Sequence, residues 1–245
     1  MSRSDTVYGL HAVEALLRHN PEQVLEFWVL AGSPNPPLAV LAALAGDQGI
    51  IVQRAGRATL DRLAGGGRHQ GAVVRCRRPE AAAVVTLGDL LGDVRDALFL
   101  ILDGVEDPQN LGACLRVADA AGARAVIRPL HRGVGLTAAA IKVASGAAES
   151  VPVVAVPNLA RALADLKSAG VWIVGTDAGA EQSIYDVDLK SPTALVLGAE
   201  GSGMRRLTRD LCDRRVSIPM AGTVESLNVA VAAGVCLFEA VRQRR

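Results

Sequence analysis

Ile218-Pro-Met-Ala-Gly-Thr-Val-Glu-Ser-Leu-Asn-Val-Ala-Val-Ala-Ala-Gly-Val-Cys-Leu-Phe-Glu-Ala-Val241 is the stretch whose reading decides the fold. A short apolar run, a polar cluster of Glu225, Ser226 and Asn228, and a long, nearly uncharged run follow one another. The pattern predicts a strand over Val216–Met220 and then a helix. Ser or Asn at such a junction offers a side-chain oxygen to the orphan N–H groups of a helix start. One such residue suffices for a cap, so the others are surplus. With little polar face before Glu239, the helix is expected to be buried. Terminal segments are usually the least ordered part of a domain. A buried helix introduced by surplus polar groups is therefore expected to build a site.

Working back from this segment, strand-like and helix-like runs alternate. Strands are predicted at Ala97–Leu102, Ala125–Arg128, Val151–Val156, Val171–Thr176 and Thr193–Leu197, in addition to Val216–Met220. Helices are predicted at Leu111–Ala121, Ala138–Ala147, Leu159–Ser168 and Met204–Cys212, besides the last one. Near-continuous apolar strands between helices imply an α/β fold with a mostly parallel sheet covered on both faces. Ligands bind at the carboxyl ends of strands in that architecture. An Ala-rich stretch over residues 80–96 reads as a linker. Before it, residues 1–79 read as a small α/β domain. Its elements are a helix over Gly9–Arg18, a strand over Val24–Leu30, a short Ala/Leu helix, a strand over Ile50–Gln53, a short helix near Leu60 and a strand over Ala72–Cys76.

Composition narrows the function classes. Half of the 245 residues are hydrophobic but only 3% are aromatic, so the core is built from Ala, Val and Leu. The formal charge of +1 decides nothing about partners, but its distribution does. Between Ile51 and Arg78 stand Arg54, Arg57, Arg62, Arg68, Arg75, Arg77, Arg78 and His69, against the single acid Asp61. Such an excess is either a footprint for a phosphate backbone or a solvated face. The loop Gly65–Gly71 inside it reads as flexible and exposed. Cys76, Cys114, Cys212 and Cys236 are scattered, which indicates neither a disulfide framework nor a zinc site. No signal-peptide pattern and no membrane-length apolar run is present, so a cytoplasmic location is expected.

Two further constellations accompany the segment quoted first. In Asp103-Gly-Val-Glu-Asp-Pro-Gln-Asn-Leu-Gly112, Asn110 stands where a helix N-cap is wanted, and Arg116 falls two turns into the helix, where it is expected on the same side as the loop. This is either an anion cradle or a capped connection with a surface Arg. Gly198-Ala-Glu-Gly-Ser-Gly203 lets backbone approach a ligand closely, or is simply a turn. Its glycine spacing is not the dinucleotide fingerprint, and Glu200 has no second carboxylate near it in sequence.

Asn110-Leu-Gly-Ala-Cys-Leu-Arg116, Leu195-Val-Leu-Gly-Ala-Glu-Gly-Ser-Gly-Met204 and Ile218 to Ala230 resemble, in order, the three motifs of the SpoU/TrmH family. Its members are 2′-O-ribose RNA methyltransferases that use S-adenosylmethionine. The resemblance covers residues 97–245. Tyr8-Gly-Leu-His-Ala-Val13 and Arg68-His-Gln-Gly71 resemble the ribosomal-protein-L30e-like substrate-binding domain of one subgroup. That subgroup methylates a guanosine in the peptidyl-transferase loop of 23S rRNA.

The resemblance implies a SPOUT-type domain with a deep trefoil knot, paired as a homodimer through the C-terminal domain, with no metal and no membrane. It implies cofactor contacts at Gly198, Ile218 and Leu227, with Thr176, Ala199, Gly201 and Met220 as neighbours. Asn110, Arg116, Glu200, Ser226 and Asn228 become the polar active-site positions. Arg116 either organises a phosphate or assists deprotonation, and a guanidinium that stays protonated favours the first role. RNA contacts are expected from Arg54, Arg57, Arg68, His69, Gln70 and Arg75. The RNA is 23S rRNA, free or in an early large-subunit assembly intermediate. The same chemistry on tRNA or at another rRNA nucleotide, a nucleotide-dependent oxidoreductase and a non-catalytic RNA-binding protein are the competing readings. The missing early dinucleotide fingerprint counts against the oxidoreductase.

Overall fold

The computed structural model describes residues 4–77 and 85–245, and the chain divides into two units, Met1–Val84 and Val85–Arg245. Arg78, the expected boundary at Pro79 and the first five residues of the expected linker lie outside the described residues.

The smaller unit runs β1 (Ser4–Tyr8), α1 (Leu10–His19), β2 (Val24–Leu30), α2 (Pro36–Asp47), β3 (Val52–Ala55), α3 (Arg57–Leu63) and β4 (Ala72–Arg77). Its sheet has the order β1-β4-β2-β3, with β4 antiparallel to both neighbours and β2 parallel to β3. Strand periodicity sorts the side chains into layers. Phe27, Val29, Ala72 and Val74 face α1 and α2, whereas Val73 faces Leu60 from α3 and Ala64 just after it. The edge strand β1 gave no sequence signal, because an edge strand needs no apolar run and Ser4-Asp5-Thr6 supplies none.

The larger unit runs α4 (Leu87–Leu90), β5 (Leu98–Asp103), α5 (Pro108–Ala120), β6 (Ala125–Pro129), α6 (Ala138–Ala144), α7 (Ala147–Ser150), β7 (Val153–Val156), α8 (Leu159–Ser168), β8 (Trp172–Thr176), β9 (Thr193–Gly198), α9 (Arg206–Leu211), β10 (Arg214–Val216) and α10 (Val229–Gln243). Its six-stranded sheet has the order β10-β8-β9-β5-β6-β7, and every neighbouring pair is parallel. All six residues of β5 are buried. Leu98, Leu100 and Leu102 pack with α5, α6 and α10 on one face, and Phe99 and Ile101 with α8 on the other. Each such Leu contributes about 2 kcal/mol of burial. The parallel, doubly covered sheet expected from the apolar runs is the one observed.

Three local expectations are corrected. The run Val216–Met220 is not a strand: β10 is Arg214–Val216, and Ile218–Met220 is coil. Exposed Arg214 and Arg215 are tolerated on this edge strand, while Pro219 has no N–H to continue a ladder. The helix expected over Ala138–Ala147 breaks at Ser145 and Gly146, both left-handed with φ 53° and 100°. Helix α10 is not buried all round. Val231 and Phe238 are 53% and 47% exposed, seven residues apart on one face.

The end of α10 is tied down by polar contacts. The guanidinium of Arg244 donates to the carbonyls of Leu189 (2.8 Å), Ser191 (2.8 Å), Asp96 (3.0 Å) and Ala97 (3.4 Å). Gln243 exchanges hydrogen bonds with the Leu189 N–H and the Val187 carbonyl. The carboxylate of Glu239 accepts from Arg242 and Gln243 at 2.8 Å, and its pKa is held down to about 2, chiefly by the Arg242 hydrogen bond. Among the described residues, no helix is long and apolar enough to cross a membrane.

Candidate active site

Strands β5 and β9 are neighbours, yet β5 leads on to β6 on one side and β9 to β10 on the other. Their carboxyl ends therefore flank a topological switch point, where open α/β sheets form a crevice. The ends are level: Asp103 pairs with Gly198, and Thr176 pairs with Val216.

Asp103, 1% exposed, is a buried carboxylate that must be compensated. It accepts from the backbone N–H of Arg205 (2.9 Å) and from its Nε (2.6 Å), and so ties β5 to the far end of the glycine loop. The loop closes on itself, with Ala199 and Gly203 exchanging backbone hydrogen bonds of 3.2 and 2.9 Å. A Cβ on Gly198 would lie 2.0 Å from the Gly203 carbonyl carbon and 2.2 Å from the Met204 nitrogen. The loop's own return, before any ligand, excludes a side chain there.

The N-cap of α5 is Asp107, not Asn110: its Oδ1 accepts from the Gln109 N–H at 2.8 Å. Pro108 occupies the first helical position, where its missing N–H costs nothing, so the cap falls on the residue before it, three positions ahead of Asn110. Asn110 is thereby released from capping and placed in the first turn. Asn228 is the N-cap of α10, its Oδ1 accepting from the N–H groups of Ala230 (3.0 Å) and Val231 (3.4 Å). Its amide nitrogen is left to point into the crevice.

Residues far apart in sequence meet here. Asn228 Nδ2 donates to Asn110 Oδ1 and to Glu200 Oε1, each at 2.8 Å, and Asn110 Nδ2 donates to Glu200 Oε1 at 3.2 Å. One carboxylate oxygen is thus held by two amides. Among the described residues no hydrogen bond reaches the other oxygen, which keeps its acceptor capacity. Glu200 and Asn110 open onto a cavity of about 380 Å³ that is also lined by Glu106, Asp107, Arg132 and Arg205.

Thr176, Gly198, Ala199 and Gly201 lie along the same row of strand ends, with Ile218 and Leu227 half-buried and Met220 36% exposed in the segment beyond β10. Ser226 is exposed and makes no hydrogen bond among the described residues. Arg116 is exposed as well, six residues beyond Asn110 on α5, and it does not line the cavity. At 100° per residue the two point about 120° apart. Arg116 therefore does not share a side with the loop.

Asp103, Arg132 and Arg205 line the cavity and were not singled out by sequence reasoning. A carboxylate closing a fully apolar run was a usable signal for Asp103. Arg132, in an irregular loop, offered none. Three thiols are poor nucleophiles: burial pushes Cys114 and Cys236 up to about 12 and Cys212 to about 11, with Glu200 adding to the effect on Cys114. Among the described residues no three His, Cys, Asp or Glu groups gather as a metal site.

In the smaller unit, Arg54, Arg57 and Arg68 are exposed. Arg75 is committed: it pairs with Glu26 at 2.6 Å and lies 5.4 Å over the Trp28 ring. His69 is not an exposed loop residue. It is 5% exposed, with Nδ1 accepting from the Gly71 N–H (2.9 Å) and Nε2 3.0 Å from Asp61. Both ring nitrogens are spent on holding the loop, which leaves none for a base. Gln70 turns back as well, accepting from the Leu10 N–H at 3.3 Å, where α1 has no side-chain cap of its own.

Two family models match the chain: the SpoU rRNA Methylase family over residues 97–238, and RNA 2′-O ribose methyltransferase substrate binding over residues 6–82. The 23S rRNA (guanosine-2′-O-)-methyltransferase RlmB of Shewanella oneidensis is 51% identical over 245 residues, covering 100% of both chains. A solved RNA 2′-O ribose methyltransferase superposes with a TM-score of 0.80 at 30% identity, covering 99% of this chain and 90% of its own. The SpoU methyltransferase AviRb from Streptomyces viridochromogenes, solved in complex with the cofactor AdoMet, gives 0.77 at 26% identity, covering 98% and 90%.

Proposed function

The chain belongs to the SpoU rRNA methylase family, and from that premise we propose that it transfers a methyl group from S-adenosylmethionine to the ribose 2′-hydroxyl of one guanosine in the peptidyl-transferase loop of 23S rRNA. The observation that carries this reading is the Asn110–Glu200–Asn228 hydrogen-bonded cluster at the switch point of the sheet. The residues around it fit the cofactor. Backbone of the closed Gly198–Gly203 turn and the apolar side chains of Ile218, Met220 and Leu227 offer a surface for an adenine without a metal or a charge.

The bound cofactor supplies a methyl group already activated by its sulfonium, which leaves the protein to place an oxygen. Much of the rate comes from that placement. The two asparagines fix the Glu200 carboxylate, whose other oxygen accepts from the ribose hydroxyl and aims its lone pair. Ser226, in the same segment as Asn228, lies within reach of the ribose. Arg116 grips a phosphate of the RNA. A guanidinium offers donors only, so it orients the chain and takes no proton.

Arg54, Arg57 and Arg68, exposed on the smaller unit, hold the RNA backbone, whether 23S rRNA is free or in an early large-subunit assembly intermediate. A second copy of the chain covers the apolar face that Val231 and Phe238 leave open on α10, and the pinned C-terminus belongs to a threaded, knotted segment. The reaction takes place in the cytoplasm.

The test is transfer of tritiated methyl from S-adenosylmethionine to unmodified 23S rRNA, 16S rRNA and tRNA, with the labelled nucleotide mapped. The expected result is one 2′-O-methylguanosine in 23S rRNA. Label on a base, or on tRNA alone, contradicts the assignment.

A further inference from the structure

One feature of the crevice is unused by methyl placement. Arg132 and Glu106 line the same cavity and carry opposite charges, yet they form no ion pair with each other. Among the described residues neither has any hydrogen-bonded or charged partner. The loops that carry them are stitched together, with the Val134 N–H donating to the Val105 carbonyl at 3.0 Å. Arg132 is also held at φ 60°, a left-handed conformation uncommon for a residue with a side chain. Strain of that kind gathers at functional sites. The second arginine of the cavity, Arg205, is taken by Asp103 and forms a wall.

A cavity with a free cation on one side and carboxylates on the other does not suit a phosphodiester, because Glu106, Asp107 and Glu200 would repel it. It suits a planar group with acceptors on one edge and donors on another. We propose that this cavity reads the target base as guanine, with Arg132 donating to O6 and N7 and the Glu106–Asp107 carboxylates accepting from N1–H and the N2 amine. Arginine spanning O6 and N7 is the commonest guanine contact, and bases of single-stranded RNA are read on both edges in this way. Asp107 spends one oxygen on capping α5 and keeps the other for the base. Adenine sets its unprotonated N1 against the carboxylates and its amine against Arg132, so it is rejected on both edges. The volume of about 380 Å³ lies within the range of small-molecule sites. Glu200 and Asn110 form the adjoining wall, so a base seated here keeps its ribose at the methyl-transfer cluster.

This inference rests on the ribose-methylation reading, and one experiment separates the two. After the methylated nucleotide is mapped, a ligated 23S rRNA fragment carries guanosine, 7-deazaguanosine or adenosine at that position, and single-turnover methyl transfer is measured. The wild-type protein is expected to prefer guanosine to each analogue by roughly tenfold to a hundredfold. Arg132→Met is expected to slow transfer to guanosine by a similar factor but to change transfer to 7-deazaguanosine much less. Its affinity for S-adenosylmethionine should stay unchanged. Glu106→Gln combined with Asp107→Asn should narrow the preference over adenosine. Equal wild-type rates on guanosine and both analogues, or equal slowing of guanosine and 7-deazaguanosine by Arg132→Met, overturn the guanine pocket and leave the methyltransferase standing. No transfer to any of the three RNAs overturns the methyltransferase reading itself. If Arg132→Met does not fold, the nucleotide series on the wild-type protein still decides.

Discussion

The loops Gly65–Gly71 and Gly198–Gly203 look alike as sequence, each a run of glycines around a few polar residues, but they use those residues in opposite ways. In the first loop, the buried His69 and the folded-back Gln70 hold the backbone, and the side chain of Arg68 is exposed. In the second, the backbone holds itself through the Ala199–Gly203 bridge and the excluded side chain at Gly198, and Glu200 is presented to two asparagines. Polar residues in a glycine loop thus divide into holders and presenters, and only packing shows which is which.

The contrast can be broken most sharply at Gly198. Gly198→Ala puts a methyl group 2.0 Å from backbone, so the second loop must open. We expect loss of methyl transfer by about a hundredfold or more, as misplacement by an ångström costs, and weakened cofactor binding measured by calorimetry. Normal turnover would show that the loop is not self-closed.

His69→Ala leaves the Gly71 N–H without its partner, which should cost about 2 kcal/mol of stability in the first unit. Denaturant unfolding checks this. Arg68→Ala should leave stability within about 0.5 kcal/mol and weaken RNA binding in proportion to one lost phosphate contact. If the two variants exchange these phenotypes, the division between holder and presenter is wrong.

A smaller effect should be visible in thiol chemistry. Burial, then Glu200, pushes the Cys114 thiol up to about 12, so at pH 8 almost none of it is thiolate. At pH 8 iodoacetamide should label Cys114 far more slowly in the native protein than in the unfolded chain. Gly198→Ala should speed that labelling, and His69→Ala should leave it unchanged. Mass spectrometry of the labelled peptide distinguishes these outcomes.

Periodicity made the sheet legible. Fully apolar runs such as Leu98–Leu102 admit one architecture, and the strand Val24–Leu30 and helix Leu159–Ser168 fall where the pattern places them. The segment after Val216 was misread because apolar character alone does not make a strand; Pro219 and an edge position end it. The three motifs singled out Asn110, Glu200 and Asn228, which meet in the structure, but not the geometry of their meeting. That Asp107 takes over the cap and frees Asn110, and that Asn228 caps with its oxygen while donating with its nitrogen, depends on which end of an amide faces which neighbour. Arg132 carries no sequence signal, since its importance lies in what it fails to pair with. The burial of His69 likewise depends on a tertiary contact with Asp61 that loop composition cannot reveal.

The most direct test of the cluster is single-turnover methyl transfer to 23S rRNA by Glu200→Gln, with S-adenosylmethionine affinity measured in parallel. The substitution keeps the shape and removes the charge that the two asparagines hold. The account predicts transfer slowed by about a hundredfold with cofactor affinity within about threefold of wild type. An unchanged transfer rate would contradict it.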